Sequence, residues 1–271
     1  MYNSISIIGA GIIGGAMARI LARKKIIEKI IATRRDLEKI RDLEKLGVII
    51  TKDNKWAAQN SEAILISVKP NQVKDILVEI KEASKGKLII SVAAGIPINV
   101  IEEILPESRV VRAMPNLAVL VGESFTVYSL SQKIMQKDRE FVDVLFSAMG
   151  LAYEVDEQQL NAYTGLTGSG PAYLSTFIEA MVYAGLKVGI PRDVALLGAA
   201  QVAIGTGKLI RDGGTHYAKI KEMVVTPAGT TIEGLFELEE TGLRRGLMKA
   251  VYAATQRAED ISKQHKDSIH Q

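Results

Sequence analysis

Cysteine is absent from the 271 residues, which excludes disulfides, thiolate nucleophiles and cysteine-held zinc or iron–sulfur centres. Only three histidines occur, His216, His265 and His270. They have neither metal-ligand spacing nor an acidic companion motif, so no metal site is expected. Neither sign of charge prevails. The 34 basic and 31 acidic residues are spread along the chain and build no basic face for nucleic acid. Long apolar runs are missing as well: the most apolar stretch, 194–207, is interrupted by Gly, Gln and Thr and ends at Lys208, short of a membrane span. The beginning, MYNSISIIGAG, lacks the basic region, apolar core and small-residue cleavage site of a signal peptide. A cytoplasmic protein with no nucleic-acid or membrane partner is the expectation. No Pro/Gly-rich or acidic tract calls for disorder, and only the polar end from His265 to Gln271 is expected to be loose.

What is present is a globular composition, 47% apolar and 24% charged, in a length that fits a dinucleotide domain plus a second unit. Strand patterns fall at 4–8, 26–33, 48–50, 63–68, 88–92, 109–112, 123–128 and 151–155. Helical patterns alternate with them at 12–24, 36–46, 54–59, from Pro70, from near Pro97 and at 132–149. The strands are nearly continuous apolar runs, as parallel strands buried on both faces require. From Glu157 to 264 the pattern is helical, with breaks at 167–171, 189–191, 213–214 and 226–229. The predicted class is α/β: an N-terminal mostly parallel sheet at 1–158, followed by an all-helical domain at 159–271. Two of its helices, 171–186 and 194–209, are apolar on most faces. Such helices must be covered all round, and a second subunit related by C2 symmetry is the economical cover.

Gly9-Ala10-Gly11-Ile12-Ile13-Gly14 follows the first strand and opens the first helix, the place and spacing of a Rossmann dinucleotide fingerprint. Gly9 permits the tight turn, Gly11 the approach of a pyrophosphate, and Gly14 the close packing of helix on strand, while free amides at the helix start meet phosphate charge. Where a site selective for NAD carries Asp or Glu, this chain reads Ala32-Thr33-Arg34-Arg35. Arginine offers a fork of donors to a 2′-phosphate, so NADPH is preferred and NADH possible, with Arg34 the ligand and Arg35 an auxiliary. Further ligands are expected on loops at the carboxyl ends of the strands: Val68-Lys69-Pro70-Asn71, Ala93-Ala94-Gly95 and Met114-Pro115-Asn116. Small residues at 93–95 let the backbone lie against the nicotinamide ring, and Asn116 is a candidate for orienting its carboxamide.

With these residues in hand, the chain resembles the pyrroline-5-carboxylate reductase family over essentially its full length. The resemblance rests on the glycine fingerprint, Thr33-Arg34, Asn54 ahead of paired alanines, Val68-Lys69-Pro70, Ala93-Ala94-Gly95 and Met114-Pro115-Asn116. It rests more specifically on Leu166-Thr167-Gly168-Ser169-Gly170-Pro171-Ala172-Tyr173 and Pro227-Ala228-Gly229-Thr230-Thr231-Ile232. It implies hydride transfer from NADPH to the C=N bond of a small anionic cyclic imine, giving L-proline. It also implies a homodimer through the helical domain, with rings of dimers known in the family, and a substrate loop of one subunit that closes over the nucleotide domain of the other. The substrate carboxylate would lie against Ala228, Gly229, Thr230 and Thr231, beside Met223, Val224 and Thr226, with Thr231 at the ring nitrogen as a positioning hydroxyl. A helix start after a Gly-containing turn suits a small anion in its own right.

Some positions depart from the family pattern. Alanine stands at 228 where the familiar turn has glycine, so either positive φ is not needed there or it costs strain. Lys219 and Leu117-Ala118 also differ from the common residues. Ser169 has no acid–base partners of a nucleophile. Gly168 and Gly170 serve packing or substrate, and Tyr173, Trp56 and His216 are read as packing, adenine-flanking and loop residues. Two rivals remain: an NADPH-dependent 2-hydroxy or 3-hydroxy acid dehydrogenase, for which Lys187, Lys208, Lys219 and Lys221 supply candidate donors, and a non-catalytic NADP-binding regulator.

Overall fold

The computed structural model describes residues 2–267. The chain divides into two compact units, one running to Ser169 and resuming at Tyr252, the other spanning Gly170–Val251. This differs from the expected division at 158/159. Residues 160–168 are tied to the first unit by polar contacts: Arg112 donates to Asn161 (3.2 Å) and Asn116 to the Thr167 carbonyl (3.1 Å).

The first unit is built on an eight-stranded sheet of order β3-β2-β1-β4-β5-β6-β7-β8. Its strands are β1 (Ser4–Ile8), β2 (Lys29–Thr33), β3 (Ile49–Thr51), β4 (Ala63–Ile66), β5 (Leu88–Ser91), β6 (Arg109–Met114), β7 (Ser124–Leu130) and β8 (Gly150–Glu154). The first six run parallel in the doubly wound dinucleotide-binding order. β7 turns antiparallel to β6, and β8 runs parallel to β7, extending the same sheet as expected. Alternate residues feed two cores. Ile5, Ile7, Leu65, Ile90 and Val111 pack one face with α1 (Ile12–Arg23) and α5 (Gln136–Ser147). Ile8, Ile64, Ile66, Ile89 and Val110 pack the other with α2 (Asn54–Gln59), α3 (Val73–Ile80) and α4 (Ile98–Ile104). Successive side chains of a strand point to opposite faces, so the central strands β4 and β5, covered on both, are buried at every position, while the edge strands β3 and β8 are largely open.

Element types follow the sequence pattern with instructive exceptions. Leu37–Leu46 is a 3-10 helix and not an α-helix; its apolar residues Leu37, Ile40, Leu43 and Leu46 recur every three positions, the 3-10 period. β2 starts at Lys29, because Ile26 is still bonded to Leu21 in the turn after α1, where Lys25 has φ +52°. The segment opening at Pro70 is a 3-10 turn, Pro70–Gln72, before α3 begins.

Beneath the amino ends of the strands, Asp138 is fully buried and accepts from Tyr2 and, at 2.8 Å, from Arg109 Nε. Arg109 also donates to the Gly86 carbonyl (2.7 Å) and the Tyr2 hydroxyl (3.0 Å). Burial and the bond to Asp138 push the Tyr2 hydroxyl up to about 12, so it stays protonated as the donor the cluster needs.

Helices follow: α6 (Leu160–Tyr163), a π-helical turn at Thr164–Gly168, α7 (Gly170–Lys187), α8 (Arg192–Arg211), α9 (Tyr217–Val224), α10 (Thr230–Glu240) and α11 (Leu243–Asp267). The expected break at 167–171 is thus a wound π turn. A further break, unforeseen, falls at Gly242 (φ +71°), in the left-handed conformation that suits glycine. α11 carries the chain through His265, where a loose end was expected, to Asp267; the last four residues of that end lie outside the described residues. α8 corrects a second expectation. At twenty residues and mean hydropathy 1.3 it is, by length and composition, long and apolar enough to cross a membrane, and little of it is buried. Its small residues, among them Gly198, Ala199, Ala203, Gly205 and Gly207, let another helix approach closely.

Candidate active site

The glycine loop takes its shape from steric necessity. Gly9 has φ +86°, and a Cβ there would meet Val68 Cγ1 at 2.5 Å. A Cβ on Gly14 would lie 2.8 Å from the Gly9 carbonyl oxygen and 3.0 Å from Ser67. Gly11 is different: the nearest atom to its imaginary Cβ is 3.9 Å away, so the protein itself does not demand glycine, and a ligand approaching the backbone would. Gly11 opens α1 without a side-chain cap, and no acidic residue lies in the first turn. The amides of Ile12, Ile13 and Gly14 are therefore the uncapped donors of a helix N-terminus.

A cleft of about 640 Å³ lies in front of that loop, lined by Gly9, Gly11, Thr33, Arg34, Arg35, Asn54, Val68 and Lys69 among others. These eight are among the residues expected to hold the phosphates and the adenosine end, while Ile12, Ile13 and Gly14 of the same loop do not line the cleft. Arg34 donates to the Ala10 carbonyl (2.8 Å), which fixes the guanidinium beside the glycine loop. Thr33 accepts from the Gly9 amide (3.3 Å) and donates to Asn54 Oδ1 (2.6 Å), and Asn54 donates to Glu79 (3.0 Å). Thr33 and Asn54 thus brace the loop from below. Lys52, Ser67, Gln72 and Asp75 also line the cleft and were missed. Lys52 had a signal, since it follows β3 and the Thr33–Thr51 register places that strand end beside Arg34.

Pro70, Ala93, Ala94, Gly95 and Asn116 do not line this cleft. The loops holding them follow β4, β5 and β6, adjacent strands of the sheet, so they continue the same crest. Asn116 is engaged at both ends of its amide: Oδ1 accepts from Ala118 (3.1 Å) and Nδ2 donates to Thr167. A second cavity, of about 610 Å³, sits at the amino ends of the strands beside Arg109 and Lys87. Arg109 is committed to the Asp138 cluster, and Lys87 donates to the Ala58 and Gln59 carbonyls.

The residues expected to hold substrate lie together in the second unit. Met223 and Val224, both exposed, end α9. Thr226 to Gly229 forms a β-turn closed by the Gly229 amide on the Thr226 carbonyl (3.1 Å). Pro227 excludes positive φ at the second position and Ala228 has φ +56° at the third, the pattern of a type II turn, which favours glycine there. Of the two alternatives left by the sequence, the strained one holds. A Cβ on Gly229 would fall 2.3 Å from Thr226 Oγ1, so any larger residue there requires the Thr226 side chain to move. Thr230 and Thr231 then open α10 with no side-chain cap, leaving amides of positive potential free. His216 caps α9 through Nδ1 on the Ala218 amide (3.3 Å), and Tyr173 reaches the Ala250 carbonyl (3.4 Å).

The glycine loop, the arginine-lined cleft and the doubly wound sheet define a Rossmann-type oxidoreductase. Comparison with known proteins narrows the class. Residues 157–261 match the family model described as pyrroline-5-carboxylate reductase dimerisation, and residues 4–95 that of NADP oxidoreductase, coenzyme F420-dependent. The pyrroline-5-carboxylate reductase of Methanosarcina acetivorans is 37% identical over 266 residues, covering 96% of this chain and 98% of its own. The Coxiella burnetii pyrroline-5-carboxylate reductase structure aligns with TM-score 0.89 at 31% identity, over 96% of this chain and 98% of that one. A Plasmodium falciparum pyrroline carboxylate reductase solved with NADP bound aligns with TM-score 0.88 at 27% identity, over the same shares. The chain belongs to the pyrroline-5-carboxylate reductase family.

Proposed function

We propose that the protein reduces delta-1-pyrroline-5-carboxylate to L-proline with NADPH, as a cytoplasmic homodimer joined through its helical unit. The observation that carries the cofactor half is Arg34, anchored on the Ala10 carbonyl in the cleft before the glycine loop. The donor set fits a phosphorylated dinucleotide: uncapped amides of Ile12, Ile13 and Gly14 for the pyrophosphate, and Arg34, Arg35 and Lys52 for a 2′-phosphate. NADPH, when bound, supplies the hydride that reduces the C=N bond. The substrate half is the turn Thr226–Gly229 and the uncapped start of α10. There the amides after Gly229 hold the carboxylate and the Thr231 hydroxyl positions the ring nitrogen. A protonated imine is already electrophilic, so the chain's task is orientation and exclusion of water. This suits a site with no His–Asp or Tyr–Lys pair. NADH is the weaker donor, because nothing rewards its missing phosphate.

The test is NADPH oxidation by the purified protein with delta-1-pyrroline-5-carboxylate, run beside NADH and a panel of 2-keto and 3-keto acids. Turnover confined to the pyrroline carboxylate is expected. Arg34→Ala then raises the KM for NADPH about tenfold, the loss of one charge-assisted contact, and leaves that for NADH unchanged. Turnover of keto acids with an inert pyrroline carboxylate overturns the proposal.

A further inference from the structure

Within the first unit, the end of α11 lies against the Ala93-Ala94-Gly95 loop at Gly95. Gly95 has φ +74°, and a Cβ there would lie 2.6 Å from Ile261 Cγ2 and 3.6 Å from His265 Cδ2. The Ile261 side chain therefore occupies the space that any other residue at 95 would fill, and rests against Gly95, the last residue of the Ala93-Ala94-Gly95 loop. Two independent demands, conformational and steric, converge on this glycine.

Ile261 is itself held in place. The adjacent Ser262, buried, donates to Asn161 Oδ1 at 3.0 Å, and the same oxygen accepts from Arg112 at 3.2 Å. Arg112 pairs with Glu157 at 3.1 Å, and Glu157 accepts from the Ile98 amide at 2.7 Å. Ile98 opens α4 just beyond Gly95. Burial opposes the charge on the Arg112 guanidinium, and Glu157 opposes that effect, so the network depends on all its members. A chain of polar contacts from β6 thus fixes both the helix that presses on the loop and the helix start that follows it.

We propose that Ile261 is a positioning residue for hydride transfer, and that the end of α11 belongs to the cofactor site because it sets the loop on which the nicotinamide ring rests. This deepens the NADPH reading above and depends on it. The adenosine end of the dinucleotide is held elsewhere, by Arg34 and the glycine loop, so Ile261 governs one end of the cofactor and not the other. Reactive geometry is sensitive to shifts of about 1 Å, whereas binding of the far end is not.

The experiment compares Ile261→Ala with the unaltered enzyme in two measurements. One is kcat with delta-1-pyrroline-5-carboxylate at saturating NADPH, and the other is the Kd of adenosine 2′,5′-bisphosphate, which lacks the nicotinamide. The expected result is a fall in kcat of about tenfold or more, a Kd within about twofold, and recovery of kcat in Ile261→Val. A kcat within twofold of the parent, or a Kd that rises in step with the loss of kcat, overturns the proposal. If Ile261→Ala does not fold, Ile261→Leu replaces it, since it removes the Cγ2 methyl that faces Gly95 while keeping the side-chain volume: kcat falls with the Kd within about twofold, and a kcat within twofold of the parent overturns the proposal. A parent enzyme that binds the bisphosphate without reducing the imine refutes the assigned activity alone. The emission of bound NADPH then decides, and an unchanged spectrum in Ile261→Ala overturns the placement.

Discussion

The two units bury their apolar residues in opposite ways. In the first, whole strands vanish into two cores, one on each face of the sheet. In the second, the only buried apolar cluster among the described residues is Val182, Ala195 and Ala199. Leu197 is 71% exposed there and Val194 58%, with Phe177, Val202, Ile204, Phe236 and Leu247 also open. Exposed apolar surface on this scale marks an interaction face. The first unit satisfies its own sequence, while the second is written for a surface that a single chain does not provide. That is the physical content behind the proposed dimer.

The contrast predicts that each unit is vulnerable in a different place. The largest effect belongs to the interior of the first. Asp138→Ala leaves Arg109 buried without its carboxylate, and should cost about 3–5 kcal/mol in denaturant unfolding; a loss under about 1 kcal/mol would show that this unit tolerates interior damage. The second unit should instead be sensitive on its surface. Leu197→Glu is expected to weaken dimerisation by at least about a hundredfold, since each subunit contributes one leucine worth about 1.5–3 kcal/mol when covered. Light scattering across a dilution series checks this, and an unshifted dimer would place α8 outside the interface. The smallest effect is local. Ala228→Gly removes the left-handed strain of about 1 kcal/mol but loosens the unfolded chain by slightly less, so the melting temperature should rise by about 1–2 °C. A fall would mean that the alanine is not strained.

The same contrast explains what could be read in advance. The glycine fingerprint, the strands and the arginine end of β2 are local signals, each carried by a few consecutive residues. They pointed to Gly9, Gly11, Thr33 and Arg34, which line the cleft; Asn54, which lines it too, entered through the family resemblance. The exposed faces of α7 and α8 were legible for the same reason, because an all-round apolar helix is visible in its own sequence. What escaped was long-range. Nothing near Ile261 announces that it lies on Gly95, and nothing near Asn116 announces a bond to Thr167. The division of the chain at Ser169 and Tyr252 follows from such pairings, which no periodicity records. The 3-10 segment at Leu37–Leu46 is an intermediate case, since over ten residues a three-residue spacing differs little from the 3.6-residue period of an α-helix.

The return of α11 to the first unit also sets an order of events during synthesis. The loop at Ala93–Gly95 leaves the ribosome long before Ile261 does, with the whole second unit translated in between. At ordinary elongation rates that interval is on the order of ten seconds or more. Through that interval the nascent sheet can pair its strands, yet the loop after β5 lacks the side chain that rests on it. The nucleotide half of the protein is therefore first to start folding and among the last parts to be finished.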